Sequence, residues 1–153
     1  MTALLLDVMD TLVHDPFYEE VLEFFQMDLE SLFAVKDKQT YLDFETGRIG
    51  EAEFARSYFV DGRPVDIEGL KARMARGYRL LPGIEALLDE LKGSGVPMIA
   101  LSNYGPWWQM VEDATGLSRW MSWDAVSCKT GVRKPDPQAC LLYTSPSPRD
   151  QCL

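Results

Sequence analysis

Leu4-Leu5-Leu6-Asp7 constrains this chain more than any other stretch. Three consecutive leucines with no polar residue among them suit a strand buried on both faces rather than an amphipathic one. A carboxylate at the end of such a strand is costly to desolvate unless a partner holds it or chemistry uses it. The next residues, Val8-Met9-Asp10-Thr11, bring a second acid and a hydroxyl to the same strand end. Ligands of open α/β sheets sit beyond the carboxyl ends of the strands, so Asp7 is a candidate site residue. Read from this stretch alone, an aspartate that caps a turn fits equally well.

The rest of the chain resolves into alternating elements with one long interruption. Asp15-Pro16 reads as an N-cap followed by proline at the first helical position. From residue 17 to about 78 the apolar residues recur at helical spacing, with no good strand. Asp28 and Asp66 are expected to cap helices, the second over residues 67–78, and helices are also expected over 36–45 and 50–59. The aromatic residues of this segment read as core. The α/β pattern then resumes with a helix over 84–92, its Ile84, Leu87, Leu88 and Leu91 facing inward. A strand over 96–101 follows, then a helix over 107–114 and a short strand over 123–127. Alternating strands and helices imply a parallel, Rossmann-like sheet. The expected fold class is therefore α/β with an inserted all-α unit. Residues 1–14 and 80–139 would form the core, and residues 15–79 the insertion.

Composition narrows the function. The chain has 153 residues, is 46% hydrophobic and carries a net charge of -9. So acidic a chain is a poor binder of nucleic acid or of an anionic membrane surface through its overall field. No apolar run approaches the length of a membrane span. The three cysteines match no zinc or disulfide spacing, which points to a reduced protein. The first residues enter the strand directly, leaving no room for a leader peptide, so the default expectation is a cytoplasmic location. The expected partner is a small molecule, and the sequence specifies no oligomeric state.

The end of the chain clashes with what precedes it. Lys134-Pro135-Asp136-Pro137-Gln138-Ala139 reads as the start of a helix, yet Ser145-Pro146-Ser147-Pro148 soon stops any helix. Residues 140–150, CLLYTSPSPRD, resemble the translation of a transposase-based sequencing adaptor. Residues 140–153 are therefore expected to be foreign, with the natural protein continuing past Ala139, and Cys128 is then the one native cysteine.

Three strand ends carry polar groups: Asp7 to Thr11, Ser102-Asn103, and the loop holding Lys134. In one parallel sheet these ends point the same way, which would gather carboxylate, hydroxyls and ammonium in one crevice. Such a set suits attack on an anionic substrate, with a carboxylate nucleophile and Ser, Thr and Lys holding the charged group. The pieces LLLDVMDTLV, IALSNYG and GVRKPDP, in this order, resemble the haloacid dehalogenase (HAD) superfamily of hydrolases. The helical insertion with FETGRIGEAEF resembles that family's helical cap.

The resemblance implies roles. Asp7 would be the nucleophile, forming a covalent aspartyl intermediate, and Thr11 would orient its loop. Ser102 would hydrogen-bond the transferring group with Asn103 nearby, and Lys134 would neutralise charge on Asp7 and substrate. In phosphatase members Mg²⁺ is held by the nucleophile carboxylate and by the backbone carbonyl two residues on, here Met9. The cap would close over the site and exclude water.

Two departures from the pattern matter. Phosphatase members carry a second aspartate as acid and base where this chain has Met9, which cannot transfer a proton. Asp10 is adjacent but, as a neighbour in sequence, points differently. The further metal-binding acids expected after the Lys motif are also absent: only Asp136 lies between Lys134 and Ala139, and it reads as a helix cap. The leading expectation is a Mg²⁺-dependent phosphatase acting on a small phosphorylated metabolite. Met9 keeps alive a metal-independent, dehalogenase-like hydrolysis at carbon, and a binding protein that has lost its chemistry is the third reading. The 153-residue chain itself is expected to fold marginally and to show no measurable catalysis.

Overall fold

The computed structural model describes residues 2–142. β1 (Leu4–Leu6), β2 (Met98–Ser102) and β3 (Ser122–Val126) form a parallel sheet in the order β1-β2-β3. Leu4, Leu5 and Leu6 pair with Met98, Ile99 and Ala100, so both strands end at the same edge of the sheet, where Asp7 and Ser102-Asn103 begin the loops. Between β1 and β2 the chain runs through α1 (Glu20–Phe25), α2 (Leu29–Val35), α3 (Lys38–Glu45), α4 (Glu51–Ser57), α5 (Ile67–Ala75) and α6 (Ile84–Gly93). After β2 come α7 (Trp108–Thr115), β3, α8 (Ser127–Thr130) and α9 (Gln138–Leu141). This is the expected α/β fold with an all-α insertion. No helix among the described residues is long and apolar enough to cross a membrane.

The local starts follow capping chemistry. Asp15, Asp28, Asp37 and Asp66 each accept a hydrogen bond from a backbone N–H of the following turn. The first of these turns, Pro16–Tyr18, is a short 3-10 turn rather than the start of a continuous α-helix. α5 stops at Ala75, three residues before its expected end. Tyr78 leaves the helix to place its hydroxyl against that of Tyr104 in the core. At Gly77 a side chain would run into Glu20. β2 starts at Met98 because Pro97 has no N–H to offer a ladder, while its carbonyl accepts from Leu4 N at 2.8 Å.

Two corrections concern burial. The leucines of β1 are only half-buried, not enclosed on both faces. One face, with Leu4 and Leu6, packs into the main core, which runs from Val8 and Val13 through Phe44, Phe54 and Leu70 to Val111 and Val126. The other face carries a thin cluster of Leu101, Ala125, Ala139 and Cys140, with Leu5, Ile99 and Val132 at its margin. β1 is also an edge strand among the described residues. The second correction is Leu87, which is 45% exposed while Leu88 is fully buried. Leu87 lies on the flank of the α6 stripe rather than on its inward line. Cys128 is a free thiol. Of the stretch read as foreign, residues 143–153 lie outside the described residues.

Candidate active site

Asp7 is the first residue past β1, and the chain turns back on itself immediately after it. Val8 is fully buried and its carbonyl accepts from the N–H groups of Thr11, Leu12 and Val13. Asp10 sits at φ 55°, a left-handed conformation that aspartate tolerates better than most residues. Its N–H donates to Val13 O at 2.7 Å, and its side chain accepts from Asp15 N at 2.8 Å. Leu12 and Val13 are buried, and Leu12 O and His14 N bond to the returning chain at Leu81 and Arg79. The loop is thus fixed at both ends.

The structure brings four of the expected residues together. Thr11 Oγ1 donates to Asp7 Oδ2 at 2.5 Å. Lys134 Nζ donates to Asp7 Oδ1 at 2.6 Å, so each carboxylate oxygen has its own donor. Asn103 reaches across from the end of β2: its Nδ2 donates to Lys134 O at 3.0 Å, and its Oδ1 accepts from Lys134 N at 2.7 Å. That amide clamps the backbone of Lys134, which aims the ammonium at Asp7. Ser102, the last residue of β2, is buried, and its hydroxyl makes no hydrogen bond among the described residues. A buried hydroxyl left without a partner carries a cost unless something else bonds it.

Other candidates settle elsewhere. Lys129 lies 3.9 Å over the Trp108 ring and Arg133 pairs with Glu45, which leaves Lys134 as the cation of the crevice. His14 faces Glu20 at 3.0 Å. Trp107 stacks edge-on against Phe44 and Phe54, and Asp136 caps the turn into α9 through Gln138 N at 2.9 Å.

Glu45 was not singled out from the sequence, and neither was its pairing with Arg133. Arg133 Nε donates to Glu45 Oε2 at 2.9 Å, and the Glu45 side chain is only 7% exposed. Ser127 Oγ donates to the Glu45 carbonyl at 2.6 Å. α3 is thereby fastened to the loop that carries Lys134. The available signal was an acid at the end of an aromatic-rich helix, in FETGR, and an arginine beside the site lysine, in GVRKPDP.

As a site for Mg²⁺, this crevice offers hard oxygen donors: the Asp7 carboxylate and the Met9 carbonyl, which accepts no hydrogen bond among the described residues. Mg²⁺ is commonly held by one or two carboxylates together with water and substrate phosphate, and the donor set fits that pattern. Among the described residues, the one group of three ligand-type side chains within mutual reach is His14, Glu19 and Glu20, and it does not include Asp7.

No family profile matches the chain. Over 138 residues it is 45% identical to the chloroplast protein named flavin mononucleotide hydrolase 1 of Arabidopsis thaliana. That match covers 90% of this chain and 56% of the relative, so the chain spans about half the length of the curated protein it resembles. Among solved structures it is similar to a HAD-family enzyme of Bacteroides thetaiotaomicron, with a TM-score of 0.71 and 20% identity over 93% of this chain and 76% of that one. A predicted HAD-like hydrolase of Porphyromonas gingivalis superposes with a TM-score of 0.66 and 20% identity, covering 93% of this chain and 74% of its own. An L-2-haloacid dehalogenase superposes less closely, at 0.54, with 20% identity over 94% and 71% of the two chains. The fold is that of the HAD-like hydrolases.

Proposed function

We propose that the chain carries the nucleophile half of a Mg²⁺-assisted phosphatase for a small phosphorylated metabolite, with flavin mononucleotide as its first candidate substrate. The observation that carries this reading is the Asp7 carboxylate held between Thr11 Oγ1 and Lys134 Nζ. The name of the Arabidopsis relative supports the substrate. The Bacteroides enzyme, solved with magnesium and inorganic phosphate at 19% identity, supports the chemistry.

An Asp7 oxygen attacks phosphorus, the ester P–O bond breaks, and its electron pair leaves on the ester oxygen. Water then attacks the aspartyl phosphate, which releases inorganic phosphate and restores Asp7. Lys134 offsets the repulsion between carboxylate and phosphate, and Thr11 holds the attacking group in one orientation. Ser102 would donate to a phosphoryl oxygen. Bound Mg²⁺ would supply further neutralisation of the phosphate charge. The leaving oxygen takes its proton from water, because Met9 has none and the Asp10 carboxylate is held by Asp15 N.

The core would comprise residues 1–14 and 80–139, and the cap residues 15–79. Residues 140–153 would be foreign, as their likeness to a translated adaptor implies. Genomic sequence read past the Ala139 codon decides this last point. A cytoplasmic location competes with the plastid of the relative, and imaging the tagged full-length protein separates them.

The test is phosphate release from flavin mononucleotide by the full-length protein with Mg²⁺, expected to fall to background in Asp7→Asn. Turnover that survives in Asp7→Asn would sink the reading. Met9 favours a second reading, hydrolysis at carbon without metal. Halide release from a 2-haloacid in the presence of EDTA would establish it.

A further inference from the structure

A cavity of about 520 Å³ opens between the helical insertion and the loop that precedes Lys134. Its size lies within the range of roughly 300–1,000 Å³ common to small-molecule sites. It is bounded by Asp15, whose N–H closes the Asp7 loop on Asp10, and by Arg133, the chain neighbour of Lys134, while Asp7, Thr11 and Lys134 themselves do not line it. Two of its lining aromatics are exposed at the mouth: Tyr18 by 57% and Phe33 by 56%. Phe17 joins them, its ring 5.2 Å from Tyr18 and 5.8 Å from Phe33. Three aromatic rings grouped around an open cavity offer flat, apolar area that water serves poorly.

The interior of the cavity is of opposite character. Lys36 lies between α2 and α3, and its Nζ sits 3.6 Å above the centre of the Tyr41 ring and 4.7 Å from that of Phe17. That ammonium makes no hydrogen bond or ion pair among the described residues, although burial pulls its pKa down to about 8. Aromatic faces attract a cation but supply none of the acceptors its three N–H groups need. Lys38 and Arg133 line the same cavity, against the one carboxylate of Asp15, on a protein whose net charge is -9. Burial, aided by the charge of Asp10, pushes the Asp15 carboxyl up from its ordinary value, with the Phe17 N–H opposing.

From the cavity, its aromatic mouth and the unpaired ammonium inside it, we infer that this is the leaving-group subsite, shaped for a planar heteroaromatic ring with carbonyl acceptors along one edge. The ring lies against Phe17, Phe33 and Tyr18, and its acceptor edge takes the donors of Lys36. Lys36 is then a specificity-determining residue, and the Asp7 crevice holds the phosphate at the other end of the same molecule. The inference rests on the phosphatase reading for that second half only.

The experiment separates the two halves by using riboflavin, which has the ring and no phosphate. Quenching of riboflavin fluorescence is titrated with the full chain and with Lys36→Met, Phe33→Ser and Asp7→Asn. Lys36→Met is expected to weaken binding about tenfold, the size of one charge-assisted hydrogen bond. Phe33→Ser, at an exposed position, should weaken it several-fold without touching the fold, and Asp7→Asn should leave it unchanged. Lys36→Met should also raise the melting temperature near pH 7, since burial opposes the Lys36 charge more than Glu45 and Asp15 support it. Binding that falls while stability rises is not what loss of a merely structural contact produces. In the full-length protein, Lys36→Met should raise KM for flavin mononucleotide and spare kcat. Wild-type protein that fails to bind riboflavin, or Lys36→Met and Phe33→Ser variants that bind it as tightly as wild type, overturns the subsite. Wild-type protein that binds riboflavin but releases no phosphate from flavin mononucleotide overturns the phosphatase reading and leaves the subsite standing.

Discussion

On the proposed phosphatase reading, Met9 is the residue on which the chemistry turns. The resemblance implies an acid at this position, and here the side chain packs against the main core. Asp10 does not stand in for it, because Asp15 N holds its carboxylate in the turn. Met9→Asp should therefore raise kcat for phosphate release by about tenfold or more, since positioned acid–base catalysis is commonly worth 10²–10⁴. A variant no faster than wild type, per folded molecule, would show that the leaving group needs no help. Lys36 makes a second prediction at this scale. Its pKa falls from 10.5 unfolded to about 8 folded, with burial the main cause and the Glu45 and Asp15 charges opposing. Tyr41, Tyr58 and Phe17 present their rings to it, and burial raises both tyrosines, so they stay neutral while Lys36 titrates. Lys38 and Arg133 share the cavity and carry the same sign. Between pH 8 and 10.5 the unfolded chain binds the proton that the folded chain has released, so this residue's contribution to stability improves as pH rises. The melting-temperature advantage of Lys36→Met should be largest near pH 7 and shrink toward about pH 10. An advantage that grows with pH would contradict the assignment.

Elements explain what the sequence disclosed and what it withheld. The strand ends were legible because an apolar run that stops at a polar group marks one, and parallel strands aim these ends the same way. That logic anticipated the meeting of Asp7 and Lys134. Helix starts were legible at Asp15, Asp28 and Asp66, where an aspartate meets an apolar stripe. Asn103 shows the limit: its residue type suits a substrate contact, but the side chain is engaged by the Lys134 backbone, a pairing 31 positions apart in sequence. Glu45 and Arg133 lie 88 positions apart, and no local pattern links them. Lys36 reads in sequence as an ordinary charge at a helix boundary, and only tertiary packing surrounds it with rings. Removing Arg133 leaves the buried Glu45 carboxylate without its cation. Arg133→Ala should cost about 1–3 kcal/mol by thermal melting, less than a fully enclosed pair would, because Arg133 is 38% exposed. Gly47 has φ +74°, and a Cβ there would lie 2.5 Å from the Cys128 carbonyl. Gly47→Ala should therefore lower the melting temperature by pushing the end of α3 away from α8.

At the scale of the whole molecule the sheet is unevenly covered. The helical insertion, α6 and α7 bury one face, while the other keeps Leu5, Ile99 and Val132 partly open beside a cluster of four buried residues. Leu141 and Leu142 add exposed apolar surface near that face. A three-stranded sheet with one thin face buries little area for its length. The 153-residue chain is therefore expected to melt over a broad range and to bind a hydrophobic dye before it melts. A sharp, cooperative transition without dye binding would refute this. The fastening of α3 has a last consequence for how substrate enters. Ser127, Arg133 and the close approach at Gly47 all grip the same end of that helix. On the proposed reading, a helical layer anchored there would tilt rather than lift off evenly, with this end as the fulcrum and the side bearing Tyr18 and Phe33 as the free arm. The aromatic mouth would then be both the entrance and the part of the lever that travels farthest.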